Sequence, residues 1–287
     1  MLRHISKPRL RSNNAAAWWI LILPAAALIC AFYLIPIGKV LWISVTEPQP
    51  GLENYQLLIT NAGVRRALTT TLRISTITTL ISVAAAYVVA YALLHASAAS
   101  RKIMMLLVIL PFWISVLVRA FSWMVLLGRT GVINRVLLSM GLISAPLQLM
   151  YNEFGVDIGM VHYMIPVATL TLYSNMLGID QQTIAAARSL GATRRQTFLR
   201  VFLPLSLPGV VAAAALTFVF STGFYVTPAL LGGGKTLMVA EYITVMINET
   251  LRWGVATMLA SVLLLVILAL MAALSRVVGL HRLFGSP

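Results

Sequence analysis

The chain has 287 residues, of which 60% are hydrophobic and only 10% charged, with a mean hydropathy of +0.93. A soluble domain carries about 25% charged residues, so the composition excludes an ordinary soluble protein and indicates one membrane domain of several spans. The net charge of +14 comes from 21 Lys and Arg against 7 Asp and Glu, and the basic residues stand in short clusters between apolar runs; this is the placement of positive-inside anchors, not of a nucleic-acid footprint.

Residues 15–38 form the first uncharged run, preceded by Arg3, Lys7, Arg9 and Arg11. The run is too long for a signal-peptide core and long enough to cross a bilayer. It predicts an uncleaved first span behind a cytoplasmic tail, 1–14. The lone Cys30 lies inside it, with no disulfide partner and no metal-site spacing nearby. Further apolar runs follow at 74–100, 103–128 (interrupted only by Arg119), 158–179, 201–234 and 253–275. Such continuous runs suit helices, not the short alternating strands of a barrel. The predicted spans are about 15–45, 67–95, 103–128, 155–179, 203–227 and 252–277. Together they make a transmembrane domain over 15–280, followed by a cytoplasmic tail, 281–287.

The segment 136–152 is apolar but short, and holds Gly141 and Pro146. Charge decides its place. With six spans, the segments 1–14, 95–102, 179–203 and 276–287 carry twelve basic residues. The opposite segments 46–66, 129–153 and 228–253 carry six. Five of the acids, Glu47, Glu53, Glu153, Glu241 and Glu249, fall in that second set. A seventh span would put the two largest basic clusters on opposite faces, against the positive-inside rule. The reading is therefore an interfacial helix at 136–152 on the outer face, and both termini in the cytoplasm. No internal repeat is visible. The fold class is an all-α integral membrane protein with six transmembrane helices and a cytoplasmic helix–turn–helix loop.

That loop, 179–203, is the most informative stretch. Asp180 is placed to cap a helix beginning near Gln181. Ala185, Ala186 and Ala187 favour helix and leave the backbone open to close approach. Gly191 suits the left-handed position that ends a helix. Thr193 and Gln196 have capping-box spacing for a second helix, which carries Arg194, Arg195 and Arg200. Pro204 fits the first turn of the fifth span. A loop that only fixed topology would not need two capped helices around a glycine, so the pattern reads as a docking surface.

The segment resembles the cytoplasmic loop of permeases of the ATP-binding-cassette importers that depend on binding proteins. The resemblance rests on Ala185-Ala186-Ala187, Gly191 and Leu203-Pro204, with Leu190, Ala192, Phe198 and Val201 also fitting. The chain departs at Ala185, where the family usually has glutamate; one polar contact to the ATPase is thereby lost, worth about 0–1 kcal/mol if exposed. Pro111-Phe112-Trp113, Leu117-Val118-Arg119, Trp123, Gly131-Val132-Ile133-Asn134 and Val226-Thr227-Pro228-Ala229-Leu230-Leu231-Gly232-Gly233 resemble the polyamine branch. Permeases for ferric iron, opines and aminophosphonates look similar there. The resemblance implies a coupling loop at Asp180, Ala185, Ala186, Ala187, Arg188, Leu190, Gly191, Ala192, Arg194 and Arg195. It also implies cytosolic ATPase subunits that use the ATP, a second permease subunit (identical or related), a periplasmic solute-binding protein, and a bacterial inner membrane. This chain itself is expected to bind no cofactor and to catalyse no reaction.

Candidate residues along the substrate path are Trp113, Arg119, Asp157 and Tyr225. A charge at a span's centre is costly, roughly 2.5–3.5 kcal/mol on insertion scales. Arg119 is thus either an anchor near the outer interface or a contact inside the protein. Asp157 starts the fourth span. Trp113, Trp123, Tyr163, Tyr173 and Tyr225 are candidates for an aromatic cation path or for lipid anchoring and packing, and His162 reads as a packing residue. Gly232-Gly233-Gly234-Lys235-Thr236 imitates a phosphate-binding loop but lacks the first glycine and a preceding strand; a hinge or gate between spans five and six is the reading. A self-sufficient secondary carrier or channel would need coupling charges or broken helices in the membrane. A membrane-embedded enzyme would need a catalytic constellation, and no such pattern stands out.

Overall fold

The computed structural model of the protein describes residues 14–278. The basic cluster Arg3, Lys7, Arg9 and Arg11 and the tail 281–287 lie outside those residues. All regular structure within them is helical. Helix α1 (Asn14–Ile29) runs through a π turn (Cys30–Leu34) into α2 (Ile35–Thr46). Then come α3 (Glu53–Thr60), α4 (Ala62–His95), α5 (Ala98–Trp113), α6 (Val116–Leu127), α7 (Val132–Ser139), α8 (Glu153–Leu177) and α9 (Gln181–Ser189). Helix α10 (Arg194–Thr197) passes through a second π turn (Phe198–Phe202) into α11 (Leu203–Thr222), and α12 (Val226–Gly232), α13 (Val239–Asn248) and α14 (Trp253–Val278) complete the chain. Among the described residues, six stretches are long and apolar enough to cross a membrane: Ile22–Thr46, Ala62–His95, Val116–Ser139, Glu153–Leu177, Arg194–Thr222 and Trp253–Leu274.

The centre of the bundle is α4, α8 and α11. Arg73 pairs with Glu153 and Ser82 donates to Val161 O, so partners keep a nearly constant offset and α4 runs parallel to α8. Tyr87 bonds Ser206 while Tyr91 stacks edge-on against Phe202, so residue numbers on α11 fall as those on α4 rise and the two are antiparallel. Small residues fill the seams: Ala86, Ala90, Ala168 and Ala213 are fully buried. Between membrane helices apolar burial supplies little drive, and close backbone packing takes its place. At Gly209 a Cβ would lie 2.4 Å from Asn175 Oδ1, so α8 and α11 meet only because that side chain is absent. Helix α14 packs on α2 and α13, and α12 lies against α6 and α8. At 34 residues α4 is about 51 Å long and overshoots a hydrocarbon core of about 30 Å.

Several boundaries differ from expectation. The third span is not one helix over 103–128: α5 stops at Trp113, α6 starts at Val116, and the long apolar stretch is Val116–Ser139. Pro111, in the last turn of α5, offers no N–H and its ring crowds the preceding turn. The segment 136–152 is not one interfacial helix either. Helix α7 occupies Val132–Ser139 and no helix covers 140–152, where Gly141 turns left-handed at φ 68° and Pro146 interrupts. The fifth span ends at Thr222, before Gly223, earlier than the expected 227. Its start also differs, because the helix begun at Arg194 continues into α11 without a break. Both π turns end just before a proline, at Leu203-Pro204 and Ile35-Pro36. There Leu203 N–H bonds Phe198 O and Ile35 N–H bonds Cys30 O, a wider loop of hydrogen bonding that accommodates the ring within a continuous helix.

Candidate functional site

Helix α9, the turn after it and α10 form a knuckle at the end of the bundle. Asp180 Oδ1 accepts the Gln182 N–H at 2.8 Å and starts α9. The helix ends with Ala192 N–H on Ala187 O (3.1 Å) and Gly191 N–H on Arg188 O (3.0 Å). These two bonds make a Schellman closure, and Gly191 takes the left-handed position it requires, at φ 86°. Thr193 and Gln196 then cap α10 reciprocally, side chain to backbone in both directions. Five short-range capping hydrogen bonds thus hold a turn that has almost no core of its own.

The knuckle is seated on aromatic packing. Ile184 and Phe198 pack against the cluster around Phe202 and Leu172, and Tyr91 meets Phe198 and Phe202 edge-on at 5.4 and 5.2 Å. A cleft of about 380 Å³ runs between α9 and this seat, lined by Tyr91, His95, Gln181, Ile184, Arg188 and Arg194. The outward surface is bare. Asp180, Ala185, Ala186, Arg188, Gly191, Arg194 and Arg195 are exposed, Ala187 and Ala192 partly so, and Leu190 is 89% exposed. Among the described residues no acid pairs with Arg188, Arg194 or Arg195. A small-residue helix face, an apolar tip and free guanidinium groups suit a complementary macromolecular surface.

The residues singled out for a solute path do not converge on one point. Trp113 is 87% exposed at the end of α5, and Tyr225 is exposed where α12 begins. Arg119 is buried, at 7% exposure, and turns back on its own chain. Its Nη2 donates to Pro111 O and, at 3.0 Å, to Ile114 O. The break between α5 and α6 leaves Ile114 O open, while Pro111 O already takes the Ile114 N–H at 3.3 Å and gains a second donor, so the guanidinium serves as the cap of a broken membrane helix. It also lies over the Tyr163 ring at 4.8 Å, and Tyr163 meets Phe224 at 4.7 Å. His162 accepts from Trp123 Nε1–H at 3.2 Å through its Nδ1. Indole only donates, so that nitrogen carries no proton and the ring is neutral. Asp157 shares a cavity with Trp123 and His162. Tyr173 packs into the α4–α8–α11 core.

Three polar residues in the structure have no strong local signal in the sequence. Asn134, fully buried, donates to Gly128 O and Leu147 O (3.1 and 3.0 Å) and accepts Leu147 N–H (2.8 Å), clamping 140–152 onto α7. Thr71 Oγ1 on α4 accepts Val239 N–H at 2.8 Å, capping α13 from another helix. Glu241 on α13 is 9% exposed, its Oε2 has no hydrogen-bond partner among the described residues, and burial pushes its carboxyl up to about 7. Only Asn134 carried a signal, as the last residue of the Gly131-Val132-Ile133-Asn134 motif. The start of the glycine stretch after α12 is packed, whereas Gly234 is open. Tyr151 N–H bonds Leu231 O at 2.9 Å, and a Cβ at Gly233 would meet the Tyr151 ring at 2.3 Å.

Residues 82–279 match the family described as binding-protein-dependent transport system inner membrane component. The spermidine/putrescine transport system permease protein PotB of Haemophilus influenzae is 36% identical over 192 residues, covering 67% of this chain and 67% of that protein. The PotB of Escherichia coli K12 is 32% identical over 222 residues, covering 77% and 79%. A solved bacterial alginate ABC transporter, in complex with an alginate pentasaccharide-bound periplasmic protein, aligns with a TM-score of 0.76 at 19% identity, over 94% of this chain and 96% of that one. At that identity the likeness speaks for the fold.

Proposed function

This chain belongs to the family of binding-protein-dependent transport system inner membrane components, and from that premise we propose that it passes a polyamine through the membrane at the expense of ATP hydrolysed elsewhere. It is the multi-pass permease subunit of such an importer. The polyamine assignment draws on the two relatives named for spermidine and putrescine. The knuckle at 180–197 is the docking surface for a cytosolic ATPase of the ATP-binding-cassette type, with Ala185, Ala186, Ala187, Leu190 and Gly191 at the contact and Arg188, Arg194 and Arg195 around it. A second permease subunit completes the pathway, and a periplasmic binding protein delivers solute to the opposite face. Both termini lie in the cytoplasm.

The observation that carries the docking assignment is the build of the knuckle. It is fixed internally by a Schellman closure and a capping box, seated on aromatic rings, and left apolar and basic outside. A rigid body of that kind transmits a displacement from a partner to α8 and α11, which it joins directly. Nucleotide binding and release would then rock the two permeases between outward and inward access.

The test is an Ala186→Cys variant in the Cys30→Ser background, expressed with the neighbouring transport genes. A bifunctional thiol reagent should link it to the ATPase, and reconstituted vesicles should take up putrescine only with ATP. Labelling of that cysteine by a reagent confined to the periplasm would overturn the orientation. Uptake by the permease alone would overturn the ATP dependence.

A further inference from the structure

Asp157 stands one turn into α8, in a cavity of about 410 Å³. That volume falls within the roughly 300–1,000 Å³ of small-molecule sites. Ile77, Ile81, Phe154, Ile158, Val161 and Ile165 make its wall apolar, and Trp123 and His162 also line it. Asp157 is the one acid in the lining. Its Oδ1 is out of contact with solvent yet has no hydrogen-bond partner among the described residues. Burying a carboxylate without a partner is costly, so the group is waiting for a donor.

The nearby basic groups are committed elsewhere. Arg73 pairs with Glu153, one turn above on the same helix. Arg119 is held by the Pro111 and Ile114 carbonyls and the Tyr163 ring. His162 is neutral, because its Nδ1 accepts from Trp123. The Arg73, Glu153 and Asp157 set therefore keeps a net charge of −1. The mouth is open, since Ile81 and Phe154 are about half exposed.

Resting on the polyamine reading above, we propose that this cavity is the permease's own ammonium site. Asp157 takes one terminal –NH₃⁺ of an aliphatic polyamine, Trp123 and Phe154 offer their ring faces to it, and the isoleucines cover the methylene chain. The chemistry fits an apolar chain ending in a charge. A carboxylate supplies charge-assisted bonds, aromatic faces attract an ammonium, and the walls take the carbon chain out of water. A neutral sugar would leave the Asp157 charge uncompensated, and an anion would be repelled by it. The site thus adds selection for cations within the membrane subunit, after any choice made by the binding protein.

The experiment uses the complete importer in proteoliposomes with internal ATPase and external binding protein. Labelled putrescine uptake is measured for the unaltered chain, Asp157→Asn and Asp157→Glu. Asp157→Asn should raise the KM about tenfold while subunit copurification and ATPase activity persist, and Asp157→Glu should recover most of the loss. In parallel, Ile81→Cys in a Cys30→Ser background is labelled with a trimethylammonium thiosulfonate. Putrescine should slow that labelling, and 1,4-butanediol should not. If the unaltered importer moves no polyamine, the polyamine reading fails and takes this site with it. If it moves putrescine but Asp157→Asn leaves the KM unchanged, the site alone is overturned. Should Asp157→Asn fail to assemble, absence of putrescine protection at Ile81→Cys, with Asp157 intact, overturns it.

Discussion

Replacing Gly191 tests the knuckle most directly. Its φ is 86°, and a Cβ built there meets nothing within 4 Å. A Gly191→Val change therefore causes no clash with the rest of the protein, and its whole cost is backbone strain. An L-residue in the left-handed region costs roughly 1–3 kcal/mol, with β-branched residues at the upper end. Relaxing that strain means giving up the bonds from Gly191 N–H to Arg188 O and from Ala192 N–H to Ala187 O, each worth about 1 kcal/mol net. Either way the docking-competent turn loses about 1–3 kcal/mol, or some 5- to 150-fold in population. The spanning helices do not depend on it, so membrane insertion and abundance should hold. Uptake per ATP hydrolysed by the reconstituted importer should fall by a factor in that range. Gly191→Asn is the control, because Asn tolerates the left-handed region and should retain most coupling. Normal uptake per ATP with Gly191→Val would refute the argument. So would equal damage from Val and Asn, which would make side-chain size at the contact the cause, not the turn.

Removing the helix-break cap by Arg119→Leu leaves Ile114 O without a donor and Pro111 O with the Ile114 N–H alone; thermal unfolding in detergent should show a loss of about 1–3 kcal/mol, and Arg119→Lys, lacking the fork, should restore only part of it. Unchanged melting with leucine would mean that the cap contributes nothing. Asn134→Ala removes the Asn134 bonds to Gly128 O, Leu147 O and Leu147 N–H, the last of which has no other bond among the described residues, so limited proteolysis should cut 140–152 at least tenfold faster; equal cleavage rates would count against the clamp. Glu241 has its carboxyl raised from 4.5 to about 7 by burial. The folded state therefore holds that proton more tightly than the unfolded state. The resulting stability is full below about pH 4.5 and is lost as pH rises through 7. Thermal melting should fall across that window for the natural chain and stay flatter for Glu241→Gln, and parallel curves would contradict the assignment.

The sequence made some features of the site legible and hid others for a physical reason. Asp180, Gly191 and the Thr193–Gln196 pair act on backbone groups two to five residues away, so their roles appear in the local string. Arg119 was ambiguous between anchor and interior contact, because the string does not reveal that α5 breaks at Trp113 and leaves carbonyls to be capped. The expected helix at 136–152 failed for a similar reason. Hydrophobicity alone does not say that Gly141 and Pro146 would end it, or that a buried Asn134 would hold the remainder as ordered loop.

What the sequence determined by itself was the class of the molecule: apolar run length demands membrane helices, and capping residues specify where the knuckle turns. The family, too, is carried by residues in the linear string. Tertiary structure alone decided which distant groups meet. Trp123 finds His162 across 39 positions, Arg73 finds Glu153 across 80, and Thr71 caps Val239 across 168. Helix formation is settled by hydrogen bonds between near neighbours, whereas the environment of Asp157 is set by the register in which α4, α6 and α8 pack, and that register depends on the fit of all their side chains at once.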